Sequence, residues 1–202
     1  LEVAPLLTWF FRTNTQECEI KLLYSKPEAF SAGECGRIIA AITAVPFKNA
    51  MLVQQKRNPA LRTASLVWLD EVDGLGWVMD RLIEIIRISN IDQFDFDLRE
   101  FAESPQVARY DASDNGHFAW HSDVGEGILA RKRKLTLVLQ LSEPDSYEGG
   151  DLEVMPSAQI LSANRGQGCV SVFPSFTLHQ VAPVQSGVRY SLTLWAHGPV
   201  FR

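Results

Sequence analysis

This chain is expected to be mostly β, a sandwich or barrel preceded by helices. Two features of the sequence carry that expectation. From Phe94 onward, short runs of aliphatic and aromatic residues are divided by turn residues, the texture of short strands rather than helices. Before that point the apolar residues recur at helical spacing, so helices would brace one sheet. With 202 residues and 46% hydrophobic content, the chain can bury a core as a single domain over 1–202. Its helical support would span about 28–92 and its β core about 93–198.

The elements follow in order. After an N-terminal segment with no clear pattern, Ser31 stands three residues before Glu34, a capping-box pattern that opens an amphipathic helix through Ile42. Leu75 to Ser89 carries Trp77, Val78, Leu82, Ile85 and Ile86 at helical spacing, which predicts a second helix. Strands are expected at Phe94–Leu98, Gln106–Tyr110, Leu135–Leu141, Leu152–Met155, Cys169–Phe173 and Tyr190–Trp195. Gly149-Gly150 reads as a turn feeding the Leu152 strand, because glycine tolerates positive φ. No repeat, low-complexity stretch or linker divides the chain.

The chemistry-bearing residues cluster in the second half. His121 and Asp123 are two apart, so on an extended strand their side chains point the same way. His179, arriving from another strand, would complete two imidazoles and one carboxylate on one face of a metal. That donor set, with its remaining positions open, suits non-haem Fe(II). Ten residues after His179, Arg189 and Ser191 share one strand face, flanked by Leu192, Leu194 and Trp195. An arginine in such a buried strand calls for an anion, since an unpaired buried cation is costly.

On these motifs the chain resembles the 2-oxoglutarate- and Fe(II)-dependent dioxygenases of the prolyl-4-hydroxylase-like group, including the bacterial and phage PKHD-type hydroxylases. The segments that carry the resemblance are 106–110, 116–123, 133–144, 147–152, 173–179 and 189–195. The first half is only loosely similar. The resemblance implies a double-stranded β-helix, the jelly roll of cupins and these oxygenases. It implies Fe(II) held by His121, Asp123 and His179, with 2-oxoglutarate chelating the metal and O2 taking the last position. Arg189 would bind the distal carboxylate of 2-oxoglutarate and Ser191 would add a hydroxyl donor. Tyr110 would lie in the pocket against cosubstrate or substrate. Gln140, on one face with Thr136 and Val138, would offer its amide to the oxoglutarate tail; some relatives place a tyrosine near this point. Trp195 would pack beside the metal pocket.

The implied reaction is oxidative decarboxylation of 2-oxoglutarate coupled to hydroxylation of a C–H bond, releasing succinate and CO2, with ascorbate as a stimulant. The intact Asp123 favours hydroxylation over halogenation, which in related enzymes needs a small residue there. The substrate would be a peptidyl residue, a free amino acid or another small molecule. Pro46–Ser65, read as a polar lid, and Val124–Lys134 are the expected substrate-facing loops. Within the latter, Arg131–Lys134 reads as a solvated basic run, with a role in steering an acidic substrate as the alternative.

His117 and His197 are set aside, the first as a loop or rim residue, the second as lying beyond the last clear strand without a partner. Two other classes remain open. A cupin-like metal-binding sensor or binding module would keep the histidines without needing Arg189 and Ser191. A zinc hydrolase would need a general base beside the metal-bound water. A net charge of −5 argues against a broad nucleic-acid surface, and no apolar run reaches membrane-spanning length. Cys18, Cys35 and Cys169 show no metal-like spacing and read as thiols in a reducing cytoplasm. Leu1 in place of a start methionine leaves room for a trimmed chain or an excised leader.

Overall fold

The structure is a computed structural model and describes residues 22–49 and 58–201. The first half contributes strand β1 (Tyr24–Lys26), helix α1 (Ala32–Thr43), strands β2 (Lys48–Asn49), β3 (Arg62–Thr63) and β4 (Ser65–Trp68), and helix α2 (Gly76–Ser89). The second half contributes β5 (Gln106–Asp111), β6 (His117–His121), β7 (Arg133–Gln140), β8 (Tyr147–Gly149) and β9 (Leu152–Met155). It ends with β10 (Leu161–Ser162), β11 (Val170–Pro174), β12 (Leu178–Val181) and β13 (Val184–His197). A major sheet runs β1-β11-β7-β13-β5-β4-β2, with β8 added on β13; a minor sheet runs β10-β9-β12-β6-β3. All pairings are antiparallel, and the two sheets form a jelly roll.

Strand parity decides which face of the major sheet does what. Along β7, Leu135, Leu137 and Leu139 are fully buried against α1 and α2, whereas Thr136, Val138 and Gln140 point between the sheets. β13 repeats the division: Leu192, Leu194 and Ala196 join the helical layer, and Arg189, Ser191, Thr193 and Trp195 line the interior. A strand buried on both faces alternates between partners rather than between core and water.

The helices supply the matching apolar stripe. In α1, Ser31 Oγ accepts from the Glu34 backbone N–H at 3.3 Å, while the Glu34 carboxylate accepts from the Ser31 N–H at 2.8 Å. This fixes where the helix begins and therefore which face carries Cys35, Ile38 and Ile42. Val78, Leu82, Ile85 and Ile86 do the same for α2. Each leucine or isoleucine buried this way contributes about 1.5–3 kcal/mol, so the outer layer holds the site-bearing sheet firmly.

Several expectations are corrected. Phe94–Leu98 forms no strand: a turn of π-helix over Asn90–Phe94 ends at Asp95 with φ 51°. The Asn90 side chain then accepts from Phe96 N–H at 2.9 Å and donates to Phe96 O at 3.0 Å, replacing the ladder partner a strand would need. The Pro46–Ser65 stretch is not a plain lid loop, since its described parts include β2, β3 and the start of β4. Gln54, Gln55 and Arg57 lie outside the described residues, as does Cys18. His197 is the last residue of β13, not beyond it, and is fully buried. The run at 131–134 is not one solvated patch: Lys132 pairs with Glu100 at 3.3 Å, Arg133 turns inward, and Lys134 is buried with Nζ 3.2 Å from the Phe201 ring centroid. Cys35 and Cys169 are buried and unpaired with each other. No described helix is long and apolar enough to cross a membrane.

Candidate metal centre and anion pocket

His179 on β12 stands directly across from His121 at the end of β6. Asp123 lies just past β6, where its backbone N–H donates to Ser175 O at 2.9 Å. One ligand atom from each of the three lies within 4.8 Å of the others. Asp123 Oδ1 is 3.6 Å from His121 Nε2, and its Oδ2 is 3.5 Å from His179 Nε2.

Both histidines are held in the tautomer a metal needs. His121 Nδ1 is 2.8 Å from Ala119 O and His179 Nδ1 is 3.0 Å from Thr177 O. A carbonyl can only accept, so each Nδ1 carries a proton and each Nε2 is the ring nitrogen turned toward Asp123. Burial pushes the His179 imidazole below its ordinary pKa and outweighs the opposing pull of Asp123, keeping the ring neutral. Burial alone would raise the Asp123 carboxyl, yet it lies well below its usual range, with the positive charge of Arg133 favouring the ionised form. Two hydrogen bonds fix the carboxylate: Thr136 Oγ1 at 2.7 Å and Trp195 Nε1 at 2.9 Å both donate to Oδ2. Two neutral imidazoles and an ionised carboxylate on one face, with orienting partners behind each, fit an octahedral Fe(II) with open positions.

The triad's cavity adjoins a recess beside Arg189, and Val138 and Leu152 line both. Arg189 is 2% exposed. Its Nε donates to Gln140 Oε1 at 3.1 Å and its Nη1 to Ser191 Oγ at 3.3 Å, both neutral acceptors. Its guanidinium lies 5.6 Å from the ring centroid of the buried Tyr110. Gly150, at φ +66°, makes room for this arrangement: a Cβ there would come within 2.9 Å of Val184 Cγ2 and 3.1 Å of Arg189 Cδ. A buried guanidinium with only neutral partners is set for a carboxylate.

All seven residues singled out in the sequence therefore lie in one interior. Tyr110 and Ser191 line the cavity of the triad; Gln140 borders the recess and touches Arg189 directly. Sequence reasoning missed several others. Trp195 is a hydrogen-bond donor to Asp123 rather than packing alone, and its parity with Arg189, six residues earlier, was the available signal. Thr136 shares that role and shares its face with Gln140. Tyr147, at the start of β8, accepts from Gln140 Nε2 at 3.0 Å; the sequence marked its segment but not this role. His197 Nε2 lies 2.9 Å from Glu103, which also takes Arg133 Nε at 2.7 Å; no local signal joins residues so far apart. His117 stays at the rim, its Nδ1 bonded to Asn115 O at 2.7 Å.

Residues 105–197 match the family described as the 2OG-Fe(II) oxygenase superfamily. A PKHD-type hydroxylase of Shewanella sp. strain ANA-3 is 34% identical over 101 residues, covering 48% of this chain and 43% of that protein. The chain thus spans less than half the length of these curated relatives. Among solved structures, a Trichoplax adhaerens prolyl hydroxylase in complex with a hypoxia inducible factor peptide fragment superposes with TM-score 0.73 at 16% identity, covering 87% of this chain and 83% of that one. The viral collagen prolyl hydroxylase of Paramecium Bursaria Chlorella virus-1, in its 2OG complex, gives TM-score 0.65 at 22% identity, covering 91% and 99%.

Proposed function

We propose, on the premise that residues 105–197 belong to the 2OG-Fe(II) oxygenase superfamily and its prolyl-4-hydroxylase-like branch, that this chain is an Fe(II)- and 2-oxoglutarate-dependent hydroxylase. The observation that carries the reading is one interior holding both the His121, Asp123 and His179 triad and the uncompensated Arg189. A metal-binding module would have no use for a buried guanidinium beside its metal. A zinc hydrolase would want a second acid or base, and Asp123 is the only carboxylate lining the triad's cavity among the described residues.

In this reading His121, Asp123 and His179 hold Fe(II). Bound there with 2-oxoglutarate, the iron supplies the activation of O2, so that cosubstrate, O2 and a substrate C–H bond become succinate, CO2 and a hydroxylated product. The chain's own share is placement. Arg189 takes the distal carboxylate of 2-oxoglutarate by charge-assisted hydrogen bonds, with Ser191 beside it and Gln140 fixing the guanidinium plane. Tyr110 and Val138 border the carbon chain. Thr136 and Trp195 hold the Asp123 carboxylate so that its Oδ1 stays directed to the metal. Phe118, stacked on His121 at 3.5 Å, shields that ligand from water.

The substrate is a peptidyl residue, a free amino acid or another small molecule. The names of the relatives favour the first; the small volume of the triad's cavity suits the others. Residues 1–202 act as one domain, with α1 and α2 as the rigid backing of the site-bearing sheet. The two buried unpaired thiols support a reducing, cytoplasmic setting.

The test is anaerobic titration of the Fe(II)-loaded protein with 2-oxoglutarate. A visible metal-to-ligand charge-transfer band should appear, and should be lost in His179→Ala. Folded, iron-loaded protein with no band and no oxoglutarate binding would overturn the assignment.

A further inference from the structure

The cavity of the triad is lined by a guanidinium that the proposed chemistry leaves unused. Arg62, on β3, pairs in register with Phe118 on β6, and its guanidinium lies 4.5 Å from the Phe118 ring centroid. That ring in turn stacks on His121. Arg62 is thus two stacking steps from a metal ligand and lines the same cavity as His121, Asp123 and His179.

Its partners do not satisfy it. Nη2 donates to Gln106 Oε1 at 2.9 Å, while the buried Nε–H has no hydrogen-bond partner. Every other buried or half-buried arginine among the described residues meets a carboxylate, with the single exception of Arg189. A guanidinium that stacks on an aromatic face and keeps an N–H unpaired is held in place for something it does not yet touch. Gln106, 6% exposed, fixes its orientation and uses only the carbonyl to do so.

We infer that Arg62 is the substrate-anchoring residue and that the hydroxylated molecule carries a carboxylate, as a free amino acid, a small carboxylic acid or the C-terminal residue of a peptide does. Arg62 is the only cationic side chain lining this cavity among the described residues, so it matches one carboxylate rather than a phosphate, which would call for more charge. The planar fork binds the carboxylate, and the substrate's carbon chain extends past Phe118 toward the metal face. An internal residue of a polypeptide has no free α-carboxylate to offer. The inference rests on the oxygenase reading above and deepens it by choosing among its substrate classes.

The experiment uses the Fe(II)- and 2-oxoglutarate-loaded protein, kept anaerobic. Calorimetric titration covers L-amino acids, unsubstituted short carboxylic acids and dipeptides, each alongside its primary amide. At least one carboxylate should bind, with its amide at least 10-fold weaker. Arg62→Gln should erase that preference while leaving the 2-oxoglutarate midpoint of the charge-transfer band within 2-fold of wild type. Arg62→Lys keeps the charge, should retain part of the preference, and serves if the glutamine variant does not fold. The inference is overturned if no carboxylate binds, if amides bind equally, or if either variant keeps the full preference. A raised 2-oxoglutarate requirement in Arg62→Gln with substrate binding unchanged overturns it too, assigning Arg62 to the cosubstrate. Absence of the band in wild type is a separate result: it removes the oxygenase reading and this inference together.

Discussion

Trp195 donates its indole N–H to Asp123 Oδ2 across 2.9 Å, both side chains being buried although 72 positions apart in the chain. The same oxygen faces His179 Nε2 and accepts from Thr136, so this bond helps set how the carboxylate sits in the triad. Trp195→Phe keeps the ring and removes the donor. Losing such an orienting partner should weaken metal binding about 10-fold or more. Competition of Fe(II) or Mn(II) against a chromophoric chelator measures it, and an unchanged affinity would remove Trp195 from the metal's support.

Asp123→Ala removes the only carboxylate of the triad and its hold on Thr136 and Trp195. Turnover, read as succinate release, should fall by at least about 100-fold, more than loss of an orienting partner alone would cause. The circular dichroism spectrum should stay that of the wild type. Full turnover with the alanine would exclude Asp123 as a ligand.

Arg189→Ala replaces charge-assisted donors at the recess by a void. The 2-oxoglutarate concentration for half-maximal band intensity should rise on the order of 10- to 100-fold, the equivalent of about 1.5–3 kcal/mol. Arg189→Lys should recover only part of it, because an ammonium cannot present two coplanar N–H bonds. An equal midpoint in wild type and Arg189→Ala would exclude the anchor.

Glu103 lies away from the metal but ties Arg133 and His197 together. Burial would raise its carboxyl, yet hydrogen bonds and charge from His197 and Arg133 prevail and lower it from 4.5 to about 2. A depressed folded-state pKa contributes stability that is present above about 4.5 and fades as pH falls toward about 2. The gap between those values corresponds to a contribution on the order of 3 kcal/mol. Glu103→Gln should therefore melt well below wild type at pH 7, with the difference shrinking as the pH is lowered from 5 toward 3. A difference that stays constant over that range would mean the carboxylate charge is not what stabilises.

The triad, Arg189 and Ser191 were legible because each depends on something local: a two-residue spacing, a strand parity, an arginine among leucines. The capping box at Ser31 and the leucines of β7 were legible for the same reason. Phe94–Leu98 was misread because its alternation is that of a strand, and only the Asn90 side chain, bonding back to Phe96, diverts the backbone. Arg133 and Lys134 look alike in a basic run, yet one clamps Glu103 while the other lies over Phe201.

By itself, then, the sequence determined which side chains share a face of each strand, and hence which residues were candidates for a metal triad and an anion-binding arginine. The tertiary structure decided what stands across from those faces. Trp195 and Thr136 on Asp123, Tyr147 on Gln140, Glu103 between Arg133 and His197, and Arg62 over Phe118 join strands far apart in the chain. The physical reason is range: backbone periodicity acts over two to four residues, whereas these contacts exist only once sheet register has brought distant strands together.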